Sequence, residues 1–343
     1  MGDIAKGVLS GAWTLLVGWI LPTALNLSVA FYAVAPSLRH TDLIARLWPT
    51  TRTGTALLLL TGAVLIGIVL SALQNPLYRI LEGYLLWPNR AYRRACGHQA
   101  DIKWHLSDRI ALLGLERLEQ REGALPPEEA TRLEELRDDR RLARVARKDR
   151  QRTAPQRALL EERLARYPVD DGQILPTRLG NAIRRFEEYG DSRFCLDTQV
   201  LWNELTGTAP EEIRRQVELA RTSVDFFVAL LVGHAAIAAT AAASLASARA
   251  ETTVLLVTIA VLSCLIPLWY RSAVTATDEW AAAVRALVNV GRKPLAEALG
   301  LVLPPDLAGE RTMWNLITQL AQHPDPERDI SLNPYRARPT GTN

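Results

Sequence analysis

The chain has 343 residues, of which 48% are hydrophobic and 22% are charged. A formal net charge of +3 at pH 7 is too small to indicate nucleic-acid binding. The three cysteines, Cys96, Cys195 and Cys264, lie far apart without CxxC spacing, which argues against a disulfide framework or a zinc site. We therefore predict a protein without a metal or another cofactor.

The apolar residues form four blocks, and the charged residues fill the segments between them. A helix needs about 20 mostly apolar residues to cross a membrane. In chain order the blocks are residues 11–34, 54–73, 224–246 and 252–269. The last three lack the polar stripe of a helix on a soluble core. The first is too long, and too interrupted by tryptophan, for a cleaved signal peptide. The pattern predicts an all-α protein with four transmembrane helices.

Arginines near the ends of the blocks predict the orientation. They concentrate after the second block, before the third and after the fourth, at Arg79, Arg90, Arg93, Arg94, Arg214, Arg215, Arg221, Arg271, Arg285 and Arg292. The opposite side carries Arg39, Arg46, Arg52 and Arg249. The Arg, Ala and Leu bias is typical of a GC-rich bacterial genome, and we predict a multi-pass bacterial cell (inner) membrane protein with both termini cytoplasmic.

The predicted organisation is a 2 + 2 arrangement. The first transmembrane pair occupies residues 1–73, and a cytoplasmic helical insert follows at 74–223. The second pair occupies residues 224–270, and the C-terminal region, 271–343, is predicted to be cytoplasmic, with helices and a flexible tail.

A helical hairpin, of the coiled-coil type, is predicted within the insert at residues 101–166. In "EGALPPEE" Gly123 ends one helix and Pro126 and Pro127 open the next. The expected apolar seam is Leu133, Leu136, Leu142 and Val145. The basic run "RDDRRLARVARKDRQR" has interspersed aspartates and no aromatic platform, which favours a solvated helix with ion pairs over nucleic-acid binding. Attraction to anionic lipid headgroups is a further alternative.

The stretch that follows the hairpin, residues 167–226, is rich in turns and aromatic residues. We take Arg178, Asn181, Asp197 and Trp202 as candidate residues for a cytoplasmic interaction. The acids of this region would need to converge in a cleft to catalyse a reaction; they are Asp170, Asp171, Glu187, Glu188 and Asp197. The sequence contains no P-loop, HExxH or GxSxG motif and no recognisable Ser–His–Asp set. We predict that the protein is not an enzyme.

The run "LPTRLGN…LD…LW" resembles one found in uncharacterised bacterial, actinobacterial-like, multi-span membrane proteins, just ahead of a membrane helix. The matching positions are residues 175–181, Glu187, Tyr189, Leu196, Asp197, Leu201 and Trp202. The resemblance covers a minor part of the chain. It implies a membrane location and no biochemical activity.

Within the apolar blocks, Pro22, Asn26 and His234 are the candidate functional or packing residues. An ionisable group within the membrane is costly unless it is neutral or has a partner. We predict a neutral imidazole at His234, hydrogen-bonded to Asn26 or to a backbone carbonyl, with an ion-conducting role as the alternative. Pro22 removes a backbone hydrogen bond and is expected to kink the first helix. The small residues after His234, including Ala239 and Ala243, predict a closely packed helix face.

These features favour a signalling or scaffold component whose cytoplasmic helical domain binds a protein partner or self-associates. The alternative is a homo-oligomeric membrane channel, or a membrane-disrupting effector, gated by the cytoplasmic domain. The expected partners are the lipid bilayer and a second copy or another protein, and not nucleic acid.

Overall fold

The computed structural model describes residues 11–150, 153–247, 250–322 and 331–336. The predicted all-α class is confirmed: the protein is 82% helix, and the described residues form no strand. In chain order the helices are α1 (Gly11–Leu38), α2 (Asp42–Leu47), α3 (Arg52–Ala72), α4 (Gln74–Glu82), α5 (Asn89–Glu122), α6 (Pro127–Asp138), α7 (Arg140–Arg150), α8 (Thr153–Leu164), α9 (Arg178–Glu187), α10 (Tyr189–Phe194), α11 (Trp202–Thr208), α12 (Glu211–Ser244), α13 (Thr252–Ala298) and α14 (Leu307–Gln322).

The chain divides into two compact units. Met1–Tyr78 and Val200–Asn343 form one, called here the four-span unit, and Arg79–Gln199 form the other, called the insert unit. The insert unit is shorter than the predicted insert, 74–223, whose topological boundaries stay a prediction. The predicted flexible tail falls largely on residues 323–330 and 337–343, which lie outside the described residues.

Four helices of the four-span unit, α1, α3, α12 and α13, are long and apolar enough to cross a membrane, as predicted. Helix α3 shows why: among its side chains only Ala63 and Gly67 are buried, and large apolar side chains such as Leu57 and Leu60 are exposed. In water such a surface would be strongly unfavourable, whereas hydrocarbon tails solvate it.

Helix α1 is irregular along its length. Two π-helical segments, Leu16–Ile20 and Ala30–Val34, flank the regular α-helical segment Leu21–Val29. Pro22 is the second residue of that regular segment, close after the first π-helical segment, where the loss of its N–H costs little. The hydrogen-bonding pattern changes beside it, because the N–H of Leu21 donates to the carbonyl of Leu16. The kink that the sequence predicted at Pro22 stays a prediction.

Helices α12 and α13 follow each other closely in the chain and pack along their lengths. Their shared core is closed by the end of α1 and contains Val34, Ile237, Ala241, Leu255 and Leu262. The predicted close packing of the small-residue run therefore occurs within one chain. Ala239 and Ala243, the positions named from the sequence, lie outside this core and are exposed within the chain, so their packing against another copy stays a prediction.

Helix α13 is longer than the sequence predicted. It has 47 residues, so it extends about 70 Å, more than twice the hydrocarbon thickness. The helix continues through Pro267 well past the predicted span end at residue 269. Its second half anchors the C-terminal region: Arg292 pairs with Glu310 of α14, which also accepts a hydrogen bond from the indole of Trp314 at 3.1 Å.

The insert unit contains the predicted helix break. Helix α5 ends at Glu122, and Gly123 adopts a left-handed conformation with φ 75° that lets its N–H bond to the carbonyl of Glu119. Helix α6 starts at Pro127, and its leucines pack on α5 in a core that holds Leu112, Leu133, Leu136, Leu142 and Ala146. Val145, the last residue of the predicted seam, is only half-buried.

Ion pairs hold the basic helix α7 to α5, as the interspersed acids suggested. The guanidinium of Arg109 donates to both carboxylate oxygens of Asp149 at 2.8 and 2.7 Å, and Asp149 is almost fully buried. Arg150 pairs with Glu116. Because each buried carboxylate has a guanidinium partner, the seam tolerates charge at its centre.

Replacing Ala241 with Leu should destabilise the four-span unit by about 1–3 kcal/mol, because Ala241 is fully buried and its site has no room for three more carbons. The matched control is Ala239→Leu on the exposed face of the same helix, which should leave stability nearly unchanged. Thermal unfolding in detergent micelles measures both. Equal losses for the two variants would contradict the assigned faces of α12.

Candidate functional site

A hydrogen bond between Asn26 of α1 and His234 of α12 lies inside the four-span unit. The imidazole Nδ1 lies 2.7 Å from the Asn26 Oδ1, and the Asn26 Nδ2 donates to the carbonyl of Ala229 at 3.1 Å. Since Asn26 donates through its nitrogen to that carbonyl, its oxygen is the acceptor and His234 donates from Nδ1. The geometry fits a neutral imidazole, and Asn26 is one of the two kinds of partner that the sequence analysis named.

Both side chains are enclosed by the helices. Asn26 is 5% exposed and His234 is 6% exposed. Gly233 provides the space: a Cβ at that position would lie 2.0 Å from the Asn26 Nδ2. The absence of a side chain at Gly233 therefore lets α1 approach α12 closely enough for Asn26 to reach the α12 backbone.

Aromatic side chains close this site on the side of α13. Trp269 meets the imidazole of His234 edge-on, with ring centroids 6.1 Å apart, and Phe227 stacks on Trp269 at 6.1 Å. The indole N–H of Trp269 is shielded from solvent and has no hydrogen-bond acceptor among the described residues. The polar pair thus sits in an apolar and aromatic surround, which strengthens its hydrogen bonds.

A second polar contact in the four-span unit joins α4 to α12. The hydroxyl of Tyr78 donates to the Asp225 Oδ1 at 2.8 Å, and Asp225 is buried. Arg221 lies one turn earlier on α12, with its guanidinium over the ring of Trp280 at 5.7 Å. The sequence analysis did not identify this contact between Asp225 and Tyr78. The available signal was the rule that an acid in an apolar helix needs a partner.

Pro22 lies one turn before Asn26 on α1 and is buried. It belongs to the same helical segment as Asn26. Pro22 and the preceding π-helical segment set the backbone that presents Asn26. The structure therefore brings together two of the three predicted intramembrane residues, and the third shapes the helix that carries one of them.

Asn181, a predicted interaction residue, is fully buried in the insert unit. Its side chain accepts from the N–H of Leu175 at 2.8 Å and donates to the carbonyls of Leu175 and Thr177 at 2.9 and 2.8 Å. These bonds fix the turn that precedes α9, whose first turn is capped by the Thr177 hydroxyl. Asn181 thus has a structural role in shaping "LPTRLGN".

The same turn packs on the loop after α4. Pro176 covers Gly83, where a Cβ would lie 2.1 Å from the Pro176 Cγ and where φ is +104°. Gly180 lies against the backbone of Glu82, whose carbonyl oxygen would be 2.5 Å from a Cβ at that position. The two glycines allow the chain segments to touch.

The other predicted interaction residues are Arg178 and Asp197 of the insert unit and Trp202 of the four-span unit. Arg178 is exposed at the start of α9, and Asp197 is half-buried and accepts from the N–H of Gln199 at 2.9 Å. Trp202 begins α11 and belongs to the four-span unit. An interaction role for these three residues stays a prediction.

Of the five acids that the sequence analysis named in the insert unit, Glu187 and Glu188 lie beside one arginine. Asp170 caps the N–H of Gly172, and Asp171 pairs with Lys103 at 2.5 Å. Glu187 and Glu188, however, both lie near Arg184, at 3.8 and 3.1 Å from its guanidinium. No group of His, Cys, Asp and Glu side chains suited to a metal ion occurs within the described ranges.

The carboxyl of Glu82, the residue whose backbone Gly180 contacts, has a strongly raised pKa. Burial, and secondly the negative charge of Glu187, raise its pKa from 4.5 to about 7, and Arg79 opposes the shift. Burial also raises the pKa of Glu187. A partly buried carboxyl beside a second negative charge holds its proton at a higher pH than a free glutamate does.

Replacing Gly233 with Ala should displace the Asn26 amide and cost about 1–3 kcal/mol, because hydrogen bonds to the Ala229 carbonyl and to His234 are strained or lost. Gly207→Ala is the matched control, since a Cβ there meets open space on α11 and should stabilise by about 0.5–1 kcal/mol. Thermal unfolding of the two variants in one detergent compares them. A loss at Gly233 no larger than the change at Gly207 would rule out the tight approach.

Replacing Glu82 with Gln should remove a pH dependence of stability. The folded chain holds this proton more tightly than the unfolded chain does, so wild-type stability should fall as pH rises from 4.5 to about 7. The difference from Glu82→Gln should reach about 1–2 kcal/mol above pH 7, after allowance for solvent near the carboxyl. Denaturation at several pH values measures it, with exposed Glu134→Gln as control. Parallel curves for all three proteins would refute the assignment.

Comparison of the chain with protein-family models, with curated proteins and with solved structures found no match. The site is therefore described by its own geometry, which is a hydrogen-bonded polar pair enclosed by apolar helices.

Proposed function

We propose that this chain is a bacterial inner-membrane protein with four membrane spans in a 2 + 2 arrangement and with both termini and the insert unit in the cytoplasm. Four helices of sufficient length and apolarity support the spans. The excess of arginines at one set of helix ends supports the orientation. The resemblance of residues 175–202 to multi-span bacterial membrane proteins supports the same location.

Its proposed role is that of a signalling or scaffold component, in which the spans anchor the insert unit and the insert unit binds a protein partner or a second copy. One observation carries this proposal. Asn26 and His234, two polar side chains within the spans, bond to each other and are buried. They act as a helix-to-helix contact, which leaves them unavailable to line a water-filled path.

The hairpin of the insert unit suits a binding role. Helix α5 has 34 residues and extends about 50 Å. Exposed ion pairs brace it against α6, including Arg137 to Glu119 at 2.6 Å and Arg132 to Asp108 at 2.8 Å. Such a braced pair of helices presents a long charged surface that changes little when a partner binds.

A homo-oligomeric channel is the second candidate, and two observations favour it. The π-helical segments of α1 are of a kind that recurs at functional sites. Small residues are also exposed along α12, including Ala235, Ala239 and Ala243, and small residues permit close contact between helices of different copies. A pore would then form between copies, gated by the insert unit.

Ion flux in proteoliposomes separates the two functions. Under the scaffold proposal, purified full-length protein should leave proton and potassium flux at the level of empty liposomes. His234→Ala should lower thermal stability by about 1 kcal/mol and leave flux unchanged. Flux that rises with protein density, and that His234→Ala alters together with its pH dependence, would favour the channel.

Photo-crosslinking tests separately whether the insert unit binds a partner. A photo-crosslinking residue at Gln120 or Glu134, both exposed on the hairpin, should give a defined adduct in intact bacterial cells. The same residue at Leu60, which is exposed on α3, should not give that adduct. If neither hairpin position forms an adduct, the hairpin is not the binding surface.

A further inference from the structure

The segment Tyr84–Trp87, "YLLW", exposes apolar side chains at the edge of the insert unit. Tyr84, Leu85 and Leu86 are all exposed, and Leu86 is 83% exposed. This segment is called here the apolar loop. A run of three exposed large apolar residues on one turn is unfavourable in water and marks a surface that contacts something else.

The apolar loop has a defined conformation. The carbonyl of Arg79 accepts from the N–H groups of Gly83, Tyr84 and Leu85 at 3.2, 2.8 and 3.1 Å. The indole N–H of Trp87 donates to the carbonyl of Ile80 at 3.1 Å. The fold therefore builds this turn from hydrogen bonds and holds its apolar side chains outward.

Leu86 has a left-handed backbone with φ 61°. That conformation is unfavourable for a branched apolar residue and common for Gly or Asn. Here the strained residue is also the most exposed side chain of the loop. Surface exposure alone gives no reason for a leucine at this position, whereas contact with an apolar medium does.

Basic residues flank the apolar loop on the start of α5. Arg90, Arg93 and Arg94 are exposed, and they make no ion pair within the described part of the chain. Their spacing of three and four residues puts them on one helix face. A positive face beside an apolar, aromatic turn matches the charge and polarity of an anionic lipid surface.

The length of chain between span and loop is compatible with such a contact. Tyr84 follows the last residue of α3, Ala72, by twelve positions, and nine of the intervening residues form α4. Helix α4 is about 14 Å long. An end of α3 at the membrane surface therefore keeps the apolar loop within reach of the headgroup layer.

We propose that the apolar loop inserts Leu85, Leu86 and Trp87 into the headgroup layer of the membrane, while Arg90, Arg93 and Arg94 bind anionic headgroups. This contact is a second attachment of the insert unit to the bilayer, besides its chain connections to the spans. The proposal rests on the proposed membrane location, and the experiment below tests the two separately.

The test uses full-length protein in vesicles of phosphatidylcholine mixed with phosphatidylglycerol. Native cysteines are replaced by serine, and an environment-sensitive fluorophore is attached at Leu86→Cys, at Val169→Cys or at Leu60→Cys. Val169 is the matched control, since it is 67% exposed in the same unit and is flanked by no comparable apolar run. Leu60 is exposed on α3 and reports membrane insertion itself.

The probe at Leu86 should be quenched by nitroxide lipids labelled at the headgroup or high on the acyl chain, and aqueous iodide should quench it several-fold less than the probe at Val169. Exchange of phosphatidylglycerol for phosphatidylcholine should reduce the nitroxide quenching. Replacing the three arginines with glutamine should abolish that lipid dependence.

Each of the remaining outcomes contradicts one part of the proposal. A Leu86 probe as accessible to iodide as the Val169 probe would refute the insertion, and so would shielding from both quenchers, which would indicate a covering protein. Lipid-independent quenching would refute headgroup binding by the arginines. If the Leu60 probe is not quenched by nitroxide lipids, the membrane location itself fails.

Discussion

The hydrogen bond between Asn26 and His234 constrains how helix α1 packs on α12 in the four-span unit. In hydrocarbon a polar side chain has no water to bind, so it must find its partner inside the protein. Asn26 meets this requirement for itself and for His234, and it also bonds to the α12 backbone at Ala229. Helix α1 must then lie close to α12, which requires Gly233 at the crossing. One polar pair thus fixes the rotation and the separation of two helices that lipid alone would leave free to slide.

In the insert unit, too, buried polar groups must find hydrogen-bond partners inside the protein. Its most distinctive run, "LPTRLGN", satisfies buried backbone groups through Asn181 and lets Pro176 close over Gly83. A motif that looks individually specified is therefore explained by how the chain folds upon itself. The surfaces left for partners are the charged hairpin and the apolar loop. Under the proposed topology one faces the cytoplasm and the other the membrane, so the insert unit would be held near the bilayer while it binds.

The spans could be predicted from the sequence because crossing hydrocarbon is a local property of length and apolarity. The pairing of Asn26 with His234 was accessible because a membrane helix offers few polar partners. The exposed orientation of Ala239 could not be predicted, because the faces of an alanine-rich run do not differ in hydrophobicity. The contact of Tyr78 with Asp225 joins residues 147 positions apart, and nothing in the sequence near Tyr78 marks it as a partner for an acid.

A double-mutant cycle measures the central contact most directly. Asn26→Ala, His234→Ala and the double variant are unfolded reversibly in one bilayer-mimetic system. The sum of the two single losses should exceed the loss in the double variant by a coupling energy of about 0.6–1.7 kcal/mol, which spans the average and the maximum found for hydrogen bonds between membrane helices. Additive losses, with a coupling energy near zero, would contradict the claim that this hydrogen bond fixes α1 on α12.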